Sequence, residues 1–386
     1  MHNALFHPTV VLDENAMADV QLIIASIPGH YERISDTISG WGKKSTSNTI
    51  LQSPDQLTIN IGNKGYRVPS QIELDLSQSV SWDTTNPTDY TVAANRAGKD
   101  FYIYACQPSN SGPAPKILLS ANSTVPSGYN ATNSRKVGGF HCLCVAAGTI
   151  ASHPLSGYLA GDILPASIWD LKHRPVSNPE GMVFSEAANI WVDIYLQSGT
   201  GTNTASVYGA TITDNRNWMD FVDDAGAVKK RLLSDIEFQL IATGSNEETN
   251  IQGSADPNTA GGHVDTTGRR MISNIGCEDC CGVMWQWLNE QSTRVEGSHA
   301  HIENKAASYT QNAETDPKDI AVWDWYNLPG AKGSMYRQGT YGDVKLLAGA
   351  GWNSGAHSGS RARAVHNARW TAVSDVGCRL AVGRRA

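Results

Sequence analysis

The chain has 386 residues, 40% hydrophobic and only 17% charged, with a formal net charge of -7. That length exceeds one ordinary core and calls for two or three domains, and the composition is that of a folded chain. The acidic balance argues against a general nucleic-acid partner, and no stretch reaches the ~18–20 uninterrupted apolar residues of a membrane-spanning helix. The 36 glycines, with abundant Thr, Ser and Asn, favour short strands and turns over long helices. Met1-His2-Asn3-Ala4-Leu5-Phe6 lacks the basic start and apolar block of a secretory signal. Seven scattered cysteines, an odd and sparse set, do not make a disulfide framework.

In chain order, Asp19–Ser26 is an apolar run closed by the Pro28-Gly29 turn, and the polar stretch Ser35–Asn48 reads as a connection. Leu57, Ile59 and Ile61 then alternate with Thr58 and Asn60, and Gly62-Asn63-Lys64-Gly65 supplies turn chemistry, which predicts a hairpin. Ile72, Leu74 and Leu76 repeat the alternation. Further strands are predicted at Asp100–Cys106, Lys116–Ser120 and Gly138–Ala146, with a proline-rich loop over Pro108–Pro115. Residues 51–154 are therefore expected to form a β-sandwich-like domain. The sequons at Asn122 and Asn130 are read as chance matches. His141, beside Cys142 and Cys144, is read as a satisfied histidine in a packed strand rather than a metal ligand.

Pro-, His- and Trp-containing loops from Leu155 to Pro179 mark a change of pattern, and the domain boundary is expected at 154/155. Ile190, Val192, Ile194 and Leu196 should face a core, with Trp191, Asp193 and Tyr195 on the opposite face. Ser234 and Glu237 form a capping box flanked by the staple residues Leu233 and Phe238, which starts the best-defined helix, with Gly244 as its C-cap. Residues 244–268 form a long polar loop, read as solvated. Within it Asp256, Asp265 and Glu247 could bind a calcium ion through oxygen ligands. Cys277, Cys280 and Cys281 lack a second ligand pair at zinc spacing and are read as buried thiols. No metal or cofactor is expected.

The last forty or so residues carry the functional signal. Val344–Ala348 and Val376–Val382 look like strands, and between them Gly, Ser, Ala and Asn dominate a stretch with no strand or helix period, read as irregular backbone. After Lys345 there is no Lys, Glu, Gln or Met. Asparagine codons AAT and AAC, altered at their adenines, give many residue types but never Lys, Glu, Gln, Met or Trp. Gly351-Trp352-Asn353-Ser354-Gly355, Gly359-Ser360-Arg361 and Gly377-Cys378-Arg379-Leu380-Ala381 together resemble the variable region of diversity-generating retroelement target proteins. Gly282, Val283, Trp285 and Trp287, with the helix after Ser234, are similar to the formylglycine-generating-enzyme-like branch of the C-type lectin fold. Together these likenesses cover about residues 155–386.

The resemblance implies a mainly β, α+β chain: a β-rich region followed by a C-type lectin fold domain at 155–386, with a variable region at about 349–376. By analogy, residues 1–50 become an assembly or particle-attachment segment. It further implies that a surface diversified by adenine-directed mutagenesis binds a protein or glycan receptor on a target cell, at the virion tail tip if the gene is a phage's. A homo-oligomer, such as a trimer, is compatible with this. Ala350, Asn353, Ser354, His357, Ser358, Ala364, His366, Asn367, Thr371, Val373 and Asp375, all types reachable from an asparagine template, become the variable contacts. Trp352, Arg361, Trp370 and Arg379 become the scaffold. Alternatives are a formylglycine-generating-type oxidase, which needs paired reactive cysteines where only Cys378 stands, and a calcium-dependent lectin, of whose sugar-binding triplet Asp256-Pro257-Asn258 is a partial echo.

Overall fold

The computed structural model describes residues 40–294 (apart from 69, 85, 86 and 109–113), 324–327, 333–337 and 342–385. The expected assembly segment at 1–50, including the apolar run 19–26, lies almost wholly outside the described residues. The chain divides into two compact units, residues 1–91 with 101–139 and residues 92–100 with 140–386. The break at 139/140 precedes the expected 154/155 because Leu143, Cys144, Ala147, Ile150 and Leu155 are buried in the core of the second unit.

In the first unit β1 (Gly42–Lys43), β2 (Ile50–Gln52) and β5 (Glu73–Asp75) form one antiparallel sheet, in the order β1-β2-β5. Between β2 and β5 lies the predicted hairpin, β3 (Leu57–Ile61) with β4 (Lys64–Val68), paired Ile61 to Lys64 across a two-residue turn. Leu57, Ile59 and Ile61 are fully buried while Thr58 and Asn60 are half-buried, as the alternation requires. Gly62 sits at φ +61°, and a Cβ there would lie 2.7 Å from the Thr132 carbonyl oxygen, so the turn admits only glycine. β6 (Asp100–Cys106), β7 (Lys116–Ser120) and β8 (Ser134–His141) lie in a second sheet, ordered β7-β6-β8. The strand expected over 138–146 starts earlier and stops at His141.

The second unit contains α1 (Ala93–Arg96), α2 (Trp218–Ala227) and α3 (Asp235–Ile241), and the short strand β9 (Trp169–Asp170). Its first sheet pairs β10 (Met182–Ser185), β11 (Ile190–Asp193), β19 (Leu380–Gly383) and β12 (Arg231–Leu232), in the order β10-β11-β19-β12. The second holds β13 (Trp285–Arg294), β14 (Asp324–Asn327), β15 (Ser334–Arg337), β16 (Gly342–Gly349), β17 (Gly359–Ala364) and β18 (Val376–Gly377). Their order is β14-β15-β17-β16-β13-β18. The carboxyl-terminal strand β19 thus returns to pair antiparallel with β11, Ile190 opposite Gly383.

Local chemistry explains both longer helices. Ser234 accepts from the Glu237 amide while the Glu237 carboxylate accepts from the Ser234 amide, and Phe238 packs beneath. Asn217 and Asp220 make the same reciprocal cap on α2, which is longer than α3 and which the sequence reading missed. The C-cap of α3 is Ala242, with Gly244 beyond it at φ +85°. The segment 190–196 does not have one solvated face: Trp191, Asp193 and Tyr195 are as buried as Ile190, Val192, Ile194 and Leu196. Asp193 is tolerated inside because Lys230 Nζ lies 2.6 Å from its carboxylate.

Candidate functional site

The segment 349–376 leaves β16, crosses a short 3-10 turn at Gly355–His357, and runs back as β17 antiparallel to β16, Leu347 opposite Ala364. The strand β17 was not expected, because Gly359-Ser360-Arg361-Ala362-Arg363-Ala364 has too few large apolar residues to alternate. The segment's backbone is held chiefly by groups outside it. The Gly282 amide donates to the Gly349 carbonyl at 2.9 Å, and a Cβ on Gly349 would meet the Cys280 carbonyl at 2.3 Å. The Asn250 side-chain amide donates to the Trp352 carbonyl, and the Glu248 amide donates to the Ser358 carbonyl at 2.9 Å. The Glu247 carboxylate accepts from both the Ser360 amide, 3.1 Å, and the Ser360 hydroxyl, 2.8 Å. Farther on, the amides of Lys345, Trp218, Asn215 and Trp285 donate to the carbonyls of Asn367, Arg369, Val373 and Asp375.

These contacts correct the reading of 244–268 as a solvated loop. Asn246, Asn250 and Asp265 are buried, and the loop is a buttress for the terminal segment. Burial alone would raise the Asp265 carboxyl, but hydrogen bonds from Thr267, Thr249 and the Arg269 amide hold it below its ordinary value. Glu247 is engaged with Ser360, and among the described residues no group of acidic, His or Cys side chains could hold a metal ion.

The expected contact residues separate into two classes. Asn353 is exposed, and His357, His366, Thr371, Val373 and Asp375 are partly exposed. Ala350, Ser354, Ser358, Ala364 and Asn367 are buried, which corrects their placement at the surface. Ala350 and Ala364 pack into a core with Phe221, Leu232, Trp287 and Leu347, and Val373 leans on the same core. Ser354 turns inward so that its hydroxyl receives the Gly351 amide. Of the residues expected as scaffold, Arg379 is fully buried and donates to the carbonyls of Asp193, Ile194 and Glu278. Trp352 packs half-buried against the core. Arg361 and Trp370 instead face outward, Trp370 with 65% of its surface exposed. Arg363, next but one to Arg361, does turn inward: its Nε pairs with Asp235 while its guanidinium lies 5.2 Å over the Phe238 ring.

The sequence of this chain is similar to that of the tail fiber receptor-binding protein of Bordetella phage BPP-1, 30% identical over 305 residues, covering 72% of this chain and 69% of the relative. The chain belongs to the major tropism determinant family. Residues 56–170 match the family described as the Mtd second domain. Its fold is similar to that of the solved P3c variant of the major tropism determinant, with TM-score 0.64 and 24% identity over 91% of this chain and 86% of that one. The U1 variant gives TM-score 0.63 over 91% and 85%. The fold is accordingly mainly β and C-type lectin-like.

Within this member of the major tropism determinant family, the residues that sequence reasoning missed are those positioning the terminal segment, Asn215, Trp218, Asp235 and Asn250, with Glu247, named above only as an oxygen ligand for calcium. The capping signal at Asn217 could have located α2, and hence Trp218; that at Ser234 does locate α3, but nothing local links its first residue, Asp235, to Arg363. Nothing local marks Glu247 or Asn250, since their partners are about a hundred residues distant. The other candidates are structural. His141 Nδ1 lies 3.0 Å from Asp100 and Nε2 2.9 Å from the Tyr195 hydroxyl, so both ring nitrogens are satisfied. All seven cysteines are free and buried. Burial pushes the thiols of Cys277, Cys281 and Cys378 above their ordinary value.

Proposed function

We propose that this chain is the receptor-binding protein of a phage tail fibre, located in the virion tail. In this reading its carboxyl-terminal surface, diversified by adenine-directed mutagenesis, recognises a protein or glycan on the host cell. The observation that carries the reading is the source of the hydrogen bonds to 349–376. Backbone amides and side chains outside the segment fix its path, so side chains at Asn353, His366 and Thr371 can change while the backbone stays in place. A surface ordered before binding loses less conformational entropy on association. Repeated copies, as a homo-oligomer on a particle, would multiply a weak single contact.

The protein acts by binding, in this reading, and not by chemistry. A formylglycine-generating reaction needs reactive thiols, whereas Cys378 is buried, its thiol directed at Gln197 Oε1 at 2.9 Å. Sequencing the neighbouring DNA is the test. The expected result is a reverse-transcriptase gene beside a near-identical repeat of the codons for about 349–376, differing only at adenines. Differences at the codons for Trp352 or Trp370 would refute adenine-directed change.

A further inference from the structure

We propose that Trp370 is a constant apolar anchor of the recognition surface, inserted into a pocket on a protein partner while its neighbours vary. The inference rests on the binding reading above and adds a residue to it. Trp370 has 65% of its surface exposed, although burying an indole is among the larger apolar gains available to a side chain. Nor is it presented by a loose loop. The Thr371 amide donates to the Ala368 carbonyl at 2.9 Å, Ala368 bridges Val344, and the Trp218 amide holds the Arg369 carbonyl at 3.0 Å. The indole thus projects from a turn fixed on both sides.

The genetic code separates this residue from its neighbours. The single tryptophan codon, TGG, contains no adenine, so adenine-directed change neither creates it from an asparagine codon nor removes it. Thr371, Val373 and Asp375 are of types that such change produces; Trp370 is not. A repertoire built this way would keep one aromatic at a set place in every variant. Tryptophan is enriched among the few residues that carry most of a protein interface's binding energy, and a fixed one gives each variant a common apolar contribution. The residues that follow it, Thr371, Ala372, Val373 and Ser374, are uncharged and at least partly exposed, so the indole's downstream surroundings are apolar or hydroxylic, and the carboxylate of Asp375 lies beyond them. That favours a protein surface over a glycan.

The test needs no knowledge of the natural receptor. The full chain would be displayed on cells with Asn353, His366 and Thr371 randomised as asparagine-derived codons and position 370 randomised to all residues. The library would be selected against immobilised lysozyme as a model protein and, in parallel, against mannan. The expected outcome is tryptophan at 370 enriched roughly tenfold among lysozyme binders over the pool sorted for display alone, with Trp370→Ala weakening those binders by roughly tenfold or more. Equal enrichment in the display-only pool would make Trp370 a folding residue and overturn the proposal. Enrichment in the mannan arm alone would overturn the protein partner. Binders with no preference at 370 would overturn the anchor while leaving the binding reading intact, and absence of binders in both arms would overturn both. Sedimentation of the parent and Trp370→Ala chains provides a further check, since dissociation of an oligomer by the substitution would assign the indole to a subunit contact.

Discussion

At the scale of single residues, the terminal segment depends on polar side chains that lie far from it in sequence. Glu247 spends its carboxylate on the Ser360 amide and hydroxyl, so Glu247→Ala leaves two donors without their acceptor. The expected cost is about 1–3 kcal/mol, read from denaturant unfolding, with faster hydrogen exchange at the Ser360 amide. Unchanged stability and exchange would remove Glu247 from the framework. His263 carries a pH dependence. Burial alone would lower its imidazole, but Asp279, 3.0 Å away and fully buried, raises it above the ordinary value. A raised folded-state value means that its stabilising contribution is complete below the unfolded imidazole value of about 6.5 and is lost as pH rises through the folded value. His263→Gln should therefore lower the melting temperature more at about pH 6 than at about pH 9. Equal losses at both would contradict it.

At the scale of elements, what could be read from the sequence was what is local. The β3–β4 hairpin is encoded in five alternating residues and a glycine that no other side chain can replace, and α3 in a four-residue capping box. β17 was illegible because its residues are small. It is a strand by virtue of β16 and β15 on either side and of Arg363 reaching Asp235, which lies 128 residues away. The terminal segment reads in the sequence as an irregular crossing between strands, which β17 corrects, and which of its side chains face inward could not be read, since Ala364 and Thr371 are equally compatible with either side. Burial now divides them. Ala364 is fully enclosed beside Trp287 and Leu347, so Ala364→Leu should overfill that space and cost about 1–3 kcal/mol, whereas Thr371→Leu should be nearly neutral. Thermal melting of the two variants decides the matter, and equal tolerance would mean that the Ala364 pocket can open.

At the scale of the whole molecule, a recognition protein that must change its target faces a conflict, since side chains that bind also ordinarily fold. On the reading proposed above, the two duties fall here on different atoms. Main-chain carbonyls at 349, 352, 358, 367, 369, 373 and 375 are held by donors outside the segment. Arg379, buried and bonded to three carbonyls of two other segments, closes the end of the crossing. None of these bonds uses the side chain of Asn353, His366 or Thr371. Exchanging all three together for tyrosine, serine and aspartate in any order should therefore shift stability by no more than about 0.5 kcal/mol per position. It should also abolish binding to whatever target the parent surface recognises, read as adsorption of particles carrying the variant to parent host cells. Loss of binding with stability retained is the signature of a static frame. If instead the exchanges unfolded the chain, the frame would depend on the side chains it displays, and variation could not be free at this surface.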